Sequence, residues 1–216
     1  MSNRTPVDKN DMTGLAHAAG NAGEAKQPKR ERGKQRVAAL MNAGAELFQE
    51  KGYEAATMTE IASRAGAAIG SLYQFFPSKE ALAEAIFVRY SERVADLLQH
   101  LAQRAHTLSA AQLADALVDT MLTLRSDRDA TIALTDSVTS IVERCKPLRN
   151  ATRNMVATIL CGAIPALSET RATVVSAVVL HIMKIVPALA IAEKESGQPF
   201  VAEARKALAV YISQLP

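Results

Sequence analysis

The 216-residue chain is 49% apolar and 22% charged, which excludes disorder throughout and supplies a core for one large domain or two small ones. Ten glycines and eight prolines are too few for a collagenous or low-complexity chain. The net charge of +3 is mild but unevenly placed: Lys26 to Arg36 holds six basic residues against one acid, leaving 19 basic against 21 acidic elsewhere.

Met1 to Asn21 is polar and lacks the apolar stretch of a secretory signal, so a cytoplasmic chain with Cys145 and Cys161 as free thiols is expected. Neither cysteine lies in a CxxC pair, and His17, His100, His106 and His181 are scattered. No metal site and no cofactor is therefore expected. GxSxG, HExxH, P-loop and GxGxxG patterns are absent, which argues against an enzyme.

Residues 1–28 show no apolar period and read as a disordered arm. A helix follows, with Val37, Leu40, Met41, Gly44, Leu47 and Phe48 on one face and Gly52 as a left-handed stop. Thr57 to Glu60 spells a capping box that opens a short helix ending at Gly66. A second short helix, about Ala68 to Phe76, stops before Pro77, completing a helix-turn-helix outline.

From Ser78 onward the pattern is helical. A long helix runs from Lys79 to about Leu101, a second capping box at Ser109–Gln112 opens one to about Leu124, and others span about Arg128–Arg144 and Pro147–Ala163. Ser168 opens an apolar helix that Gly197 ends, and Pro199 begins a last one carrying Val201, Ala204, Leu208, Tyr211 and Ile212 on one face. With no sustained period-two alternation and no internal repeat, the fold class is all-α. The run Ala172–Ala192 is long enough to span a bilayer. Lys184 in its second half favours a helix buried in a core or an interface, and no membrane partner is expected.

Between Arg36 and Leu82 the order of motifs resembles the TetR family of bacterial transcriptional repressors. The residues that carry the resemblance are Gly52, Tyr53, Thr57, Glu60, Ile61, Ala62, Ala65, Gly66, Gly70, Leu72, Tyr73, Phe76, Lys79, Glu80 and Leu82. The resemblance covers about a quarter of the chain and implies three parts: an arm over 1–28, a helix-turn-helix domain over 29–78 with its motif at 57–76, and a helical ligand-binding and dimerisation domain over 79–216. It further implies a homodimer through the last two helices, about 168–215, bound to a palindromic DNA operator. An activator, or a member without an effector, is the alternative.

Within that frame Leu72 and Phe76, at i and i+4, form the buried side of the recognition helix. Ala67, Ala68, Ser71, Tyr73, Gln74 and Phe75 are left for the major groove. Gln74 is suited to reading an adenine edge with two hydrogen bonds. Gly66 takes the turn between the helices, and Gly70 is expected to allow a close approach to a neighbouring backbone. The resemblance implies backbone phosphate contacts at Thr57, Tyr73 and Lys79, and the basic run adds Arg32, Lys34 and Arg36. The helix departs from the family in opening Ala67-Ala68-Ile69 where Ser or Thr and then a basic residue are common. It also carries Phe75 where His is frequent. Fewer polar contacts from the helix and more reliance on the basic arm are expected, with thymine methyls meeting Ala67 or Ala68.

Between Ser91 and Pro199 there is no aromatic residue. A pocket among the middle helices would be aliphatic, with Met121, Met155 and Met183 in its wall and Cys145, His181, His100 or His106 to orient a ligand. That composition favours a flexible apolar or amphipathic small-molecule effector over a planar cation.

Overall fold

The computed structural model describes residues 31–124 and 143–216; the arm over 1–28 and most of the expected Arg128–Arg144 helix lie outside them. The described residues form eight α-helices and no strand, so the molecule is all-α. In chain order these are α1 (Glu31–Lys51), α2 (Met58–Arg64), α3 (Ile69–Phe75), α4 (Lys79–Arg104), α5 (Ala110–Thr123), α6 (Lys146–Ala163), α7 (Glu169–Ser196) and α8 (Phe200–Ser213).

The described chain divides into two compact units. One comprises 31–92 with 143–148, the other 93–124 with 149–216. In the first, α1 buries Leu40, Met41, Ala43, Gly44, Leu47 and Phe48, the period-3.6 face expected of it, with Ala43 added and Val37 half-buried at the rim. Ile61 from α2, Leu72 from α3, Phe76, and Leu82 and Ile86 from α4 complete this core, each at most 1% exposed. Burying a side chain of this size stabilises by about 1.5–3 kcal/mol, so the two short helices are held by packing rather than by their own propensity.

In the second unit α5, α7 and α8 pack on one another. Leu113, Leu117 and Val118 of α5, Val179, Met183 and Val186 of α7, and Leu208 and Ile212 of α8 are all buried. Arg205 on α8 bridges to Asp115 and Asp119, one turn apart on α5. Ser109 and Gln112 form the reciprocal cap that opens α5. Ser168 caps α7, which closes on Gly197 at φ +70°.

Within a single chain, α7 is buried along one side and uncovered along the other. The helix is long and apolar enough to cross a membrane by length and composition, yet only 33% of its most apolar stretch is buried. Val174, Val178 and Ile185 lie on its outer side, 66%, 41% and 53% exposed. Their i, i+4, i+11 spacing puts them on one side of the helix, with the exposed His181 at i+7 between Val178 and Ile185.

Candidate nucleic-acid interface

The helix-turn-helix begins where α1 stops. Gly52, at φ +80°, turns the chain out of the helix, and its amide donates to the Phe48 carbonyl at 2.9 Å. Five residues later Thr57 caps α2. Its hydroxyl accepts from the Glu60 amide at 3.2 Å and donates to Glu60 Oε2 at 3.0 Å, while the Thr57 amide donates to the same carboxylate oxygen at 3.1 Å. The Lys51 ammonium also donates to Glu60. That bond first, and then the Thr57 amide and hydroxyl, hold the Glu60 carboxyl down to about 2. The Thr57 hydroxyl hydrogen is thus committed to Glu60, so Thr57 stands here as the cap that fixes α2.

Lys79 opens α4, but its side chain folds back rather than outward. The ammonium donates to the carbonyls of Tyr53 (2.8 Å), Glu54 (3.1 Å) and Ala56 (3.2 Å). It also lies 4.4 Å from the centre of the Tyr53 ring. An ammonium has three hydrogens, and three carbonyls take them. A phosphate at this ammonium, the contact expected of Lys79, would compete with these three carbonyls. Tyr53 is buried against Phe48, ring centres 5.3 Å apart. Burial, reinforced by the Glu80 carboxylate, holds its phenol above the ordinary value and keeps it neutral.

Gly66, at φ +60°, makes the turn into α3. Ala68 occupies the N-cap and offers no side-chain bond. Leu72 and the following Phe76 are the buried side, as the i, i+4 spacing requires. The outward face is Ile69, Gly70, Tyr73 and Gln74, with Ala68 exposed just before them. Ala67, Ser71 and Phe75 are half-buried, so they flank this face rather than make it. The expected close approach at Gly70 to a backbone of this chain is also corrected, because no atom lies within 4 Å of where its Cβ would stand. Ile69 was not among the expected contact residues. Its spacing of four from Tyr73, which puts both on one helix face, is the signal the sequence holds for it.

Arg32, Lys34 and Arg36 are exposed along the first turns of α1, with Lys34 3.5 Å from Glu31. Arg64, at the end of α2, is instead occupied by Glu46 and Glu50 of α1. It fastens α2 to α1 and leaves the open positive charge to the start of α1.

Of the second set of candidates, Met121, Met155 and Met183, on α5, α6 and α7, are buried in one compact unit, and Cys145 is buried in the other. His181 is exposed, with Nδ1 2.7 Å from the Ala177 carbonyl of its own helix. Two residues along a helix is more than half a turn, so His181 and the buried Met183 face opposite ways. His100 is likewise exposed and turned onto the Asp96 carbonyl, and His106 is exposed. Among the described residues, His100, His106 and His181 are thus exposed while Met121, Met155 and Met183 are buried.

Residues 40–86 match the family model described as bacterial regulatory proteins, tetR family. The chain is 32% identical over 85 residues to the HTH-type transcriptional regulator UidR of Escherichia coli K12, covering 39% of this chain and 40% of that protein. It is 39% identical over 61 residues to the HTH-type transcriptional repressor KstR of Rhodococcus jostii RHA1, covering 28% and 29%. These matches span less than half the length of the relatives. The transcriptional regulator FadR of Bacillus subtilis, solved in complex with stearoyl-CoA, has a similar fold: TM-score 0.63 at 17% identity, covering 83% of this chain and 99% of that one.

Proposed function

We propose that this chain, whose residues 40–86 match the tetR family model, is a homodimeric cytoplasmic repressor of the TetR family that leaves a palindromic operator when a small apolar or amphipathic effector binds. The observation that carries the DNA-binding part is the outward row Ile69, Gly70, Tyr73 and Gln74, mounted on a helix whose underside is fully buried. Gln74 reads an adenine edge, worth about 1–3 kcal/mol of discrimination. The Tyr73 hydroxyl donates to a phosphate, and Ala68 and Ile69 meet thymine methyls. Ala67 and Ser71 border the contact, and Thr57 keeps α2 in register beneath it. Arg32, Lys34 and Arg36, continued by the basic residues before them, supply the sequence-independent attraction to the phosphate backbone.

Dimerisation rests on the uncovered row of α7. Val174, Val178 and Ile185, with Val210 of α8 also exposed, give each chain an apolar face that a second copy covers in a four-helix bundle of α7 and α8 pairs. Two α3 helices about 34–36 Å apart then meet successive major grooves. The aromatic-free segment and its three buried methionines support an aliphatic effector. The similar fold of FadR, which holds stearoyl-CoA, supports the same chemistry.

The test is selection of duplexes from a random pool by the full-length protein, followed by gel-shift binding and sedimentation. The expected result is a palindrome bound by a dimer. Recovery of no preferred sequence, or full binding by a monomer, overturns the reading.

A further inference from the structure

The helix-turn-helix motif is bracketed by two segments far apart in sequence: the loop 53–56, which leads into the Thr57 cap, and Lys79, the first residue of α4. The structure joins them through one ammonium. Its three hydrogens go to the carbonyls of Tyr53, Glu54 and Ala56 at 2.8–3.2 Å, and its charge rests on the face of the buried Tyr53 ring. We propose that Lys79 is a positioning residue, which staples the entry of α2 to the exit of α3 and so sets how Tyr73 and Gln74 are presented to DNA, without pairing with a phosphate itself.

The chemistry is specific to an ammonium. Loop carbonyls just past a helix end lack the ladder partners they would have inside it. A tetrahedral donor with three hydrogens satisfies three converging carbonyls at once, and the aromatic face favours its positive charge. A phosphate oxygen reaching Nζ must displace one of these acceptors, giving back part of what it gains. The loop also sits on the core, since Tyr53 and Ala56 are 3% and 1% exposed. The staple therefore connects α4 to a fixed point rather than to a loose turn. Arg64 fastens the other end of α2 to α1 through Glu46 and Glu50, so both ends of that helix are tied down by side chains.

This inference rests on the DNA-binding reading above, and its test separates the two. Lys79→Met keeps the aliphatic stem and removes the donors. The full-length variant is titrated, across a salt series and corrected for active fraction, against a duplex that the wild-type protein selected from a random pool. The expected result is binding about tenfold weaker, the loss of charge-assisted hydrogen bonds, with the salt slope unchanged. A slope shallower by about 0.9, the signature of one lost phosphate contact, overturns the proposal, and so does an unchanged affinity. If the variant does not fold, the wild-type protein supplies the answer by NMR. Couplings from the Lys79 ¹⁵Nζ to the carbonyl carbons of 53, 54 and 56 are expected to persist when DNA is added. Their replacement by a coupling to phosphorus overturns the staple. A wild-type chain that selects no duplex overturns the DNA-binding reading itself, and the carbonyl couplings of the free protein distinguish that failure from this one.

Discussion

Leu82 Cδ2 on α4 stands 2.9 Å from the point where a Cβ on Gly44 of α1 would lie, with Ile86 Cδ1 at 3.3 Å from the same point. Both neighbours are fully buried, so neither has open space to move into. Gly44 of α1 therefore lies directly against Leu82 and Ile86 of α4, and its missing side chain is what permits the contact. Gly44→Val is expected to destabilise the protein by about 1–3 kcal/mol through overpacking, read as a lower denaturation midpoint in urea. A midpoint at or above that of the unsubstituted chain would contradict this packing.

The Glu60 carboxyl gives a pH dependence with a definite sign. A carboxylate lowered in the folded state adds stability that is complete above its unfolded value and is lost as pH falls through its folded one. For Glu60 that window runs from the ordinary 4.5 down to about 2. The melting-temperature difference between wild type and Glu60→Gln should therefore be largest above about pH 5 and shrink towards pH 2. A difference that stays constant over that range would remove Glu60 from the account of α2.

The outer row of α7 predicts an oligomeric state. Val178→Glu or Ile185→Glu places a charge in the apolar face that two chains share, which is costly to bury without a partner. Sedimentation should then show a monomer with its helical circular dichroism intact. Operator binding should weaken by about a hundredfold as the second half-site ceases to be tethered. An intact dimer would show that the row is not the interface.

The basic residues predict a salt effect. Removal of residues 1–32 should lower affinity for every duplex and flatten the dependence of binding on salt, because each lost phosphate contact reduces the slope by about 0.9. Unchanged affinity and slope would leave α3 carrying the interface alone.

The local features of this fold were legible in the sequence because each depends on neighbours a few residues away. The Thr57–Glu60 and Ser109–Gln112 caps are present as read. So are the left-handed stops at Gly52, Gly66 and Gly197, and the buried i, i+4 pair of Leu72 and Phe76. Lys79 lies at a helix start as read, but the partners of its ammonium were not legible, because its acceptors lie 23 to 26 residues earlier in the chain and no periodicity reports such a meeting. Gly70 meets no neighbouring backbone in this chain and lies on the open face of α3. The one-sidedness of α7 was hidden for a different reason. A helix apolar on both faces has no moment to read, so only the packing of α5 and α8 against it shows which face the chain covers.

The central claim, that the outward face of α3 reads DNA, is tested most directly by repeating the duplex selection with Gln74→Ala. The account predicts relaxed preference at one base pair in each half of the palindrome, at a cost of about 1–3 kcal/mol for the original site. Binding to unrelated duplex should be unchanged. Selection of the same sequence with the same affinity would contradict it.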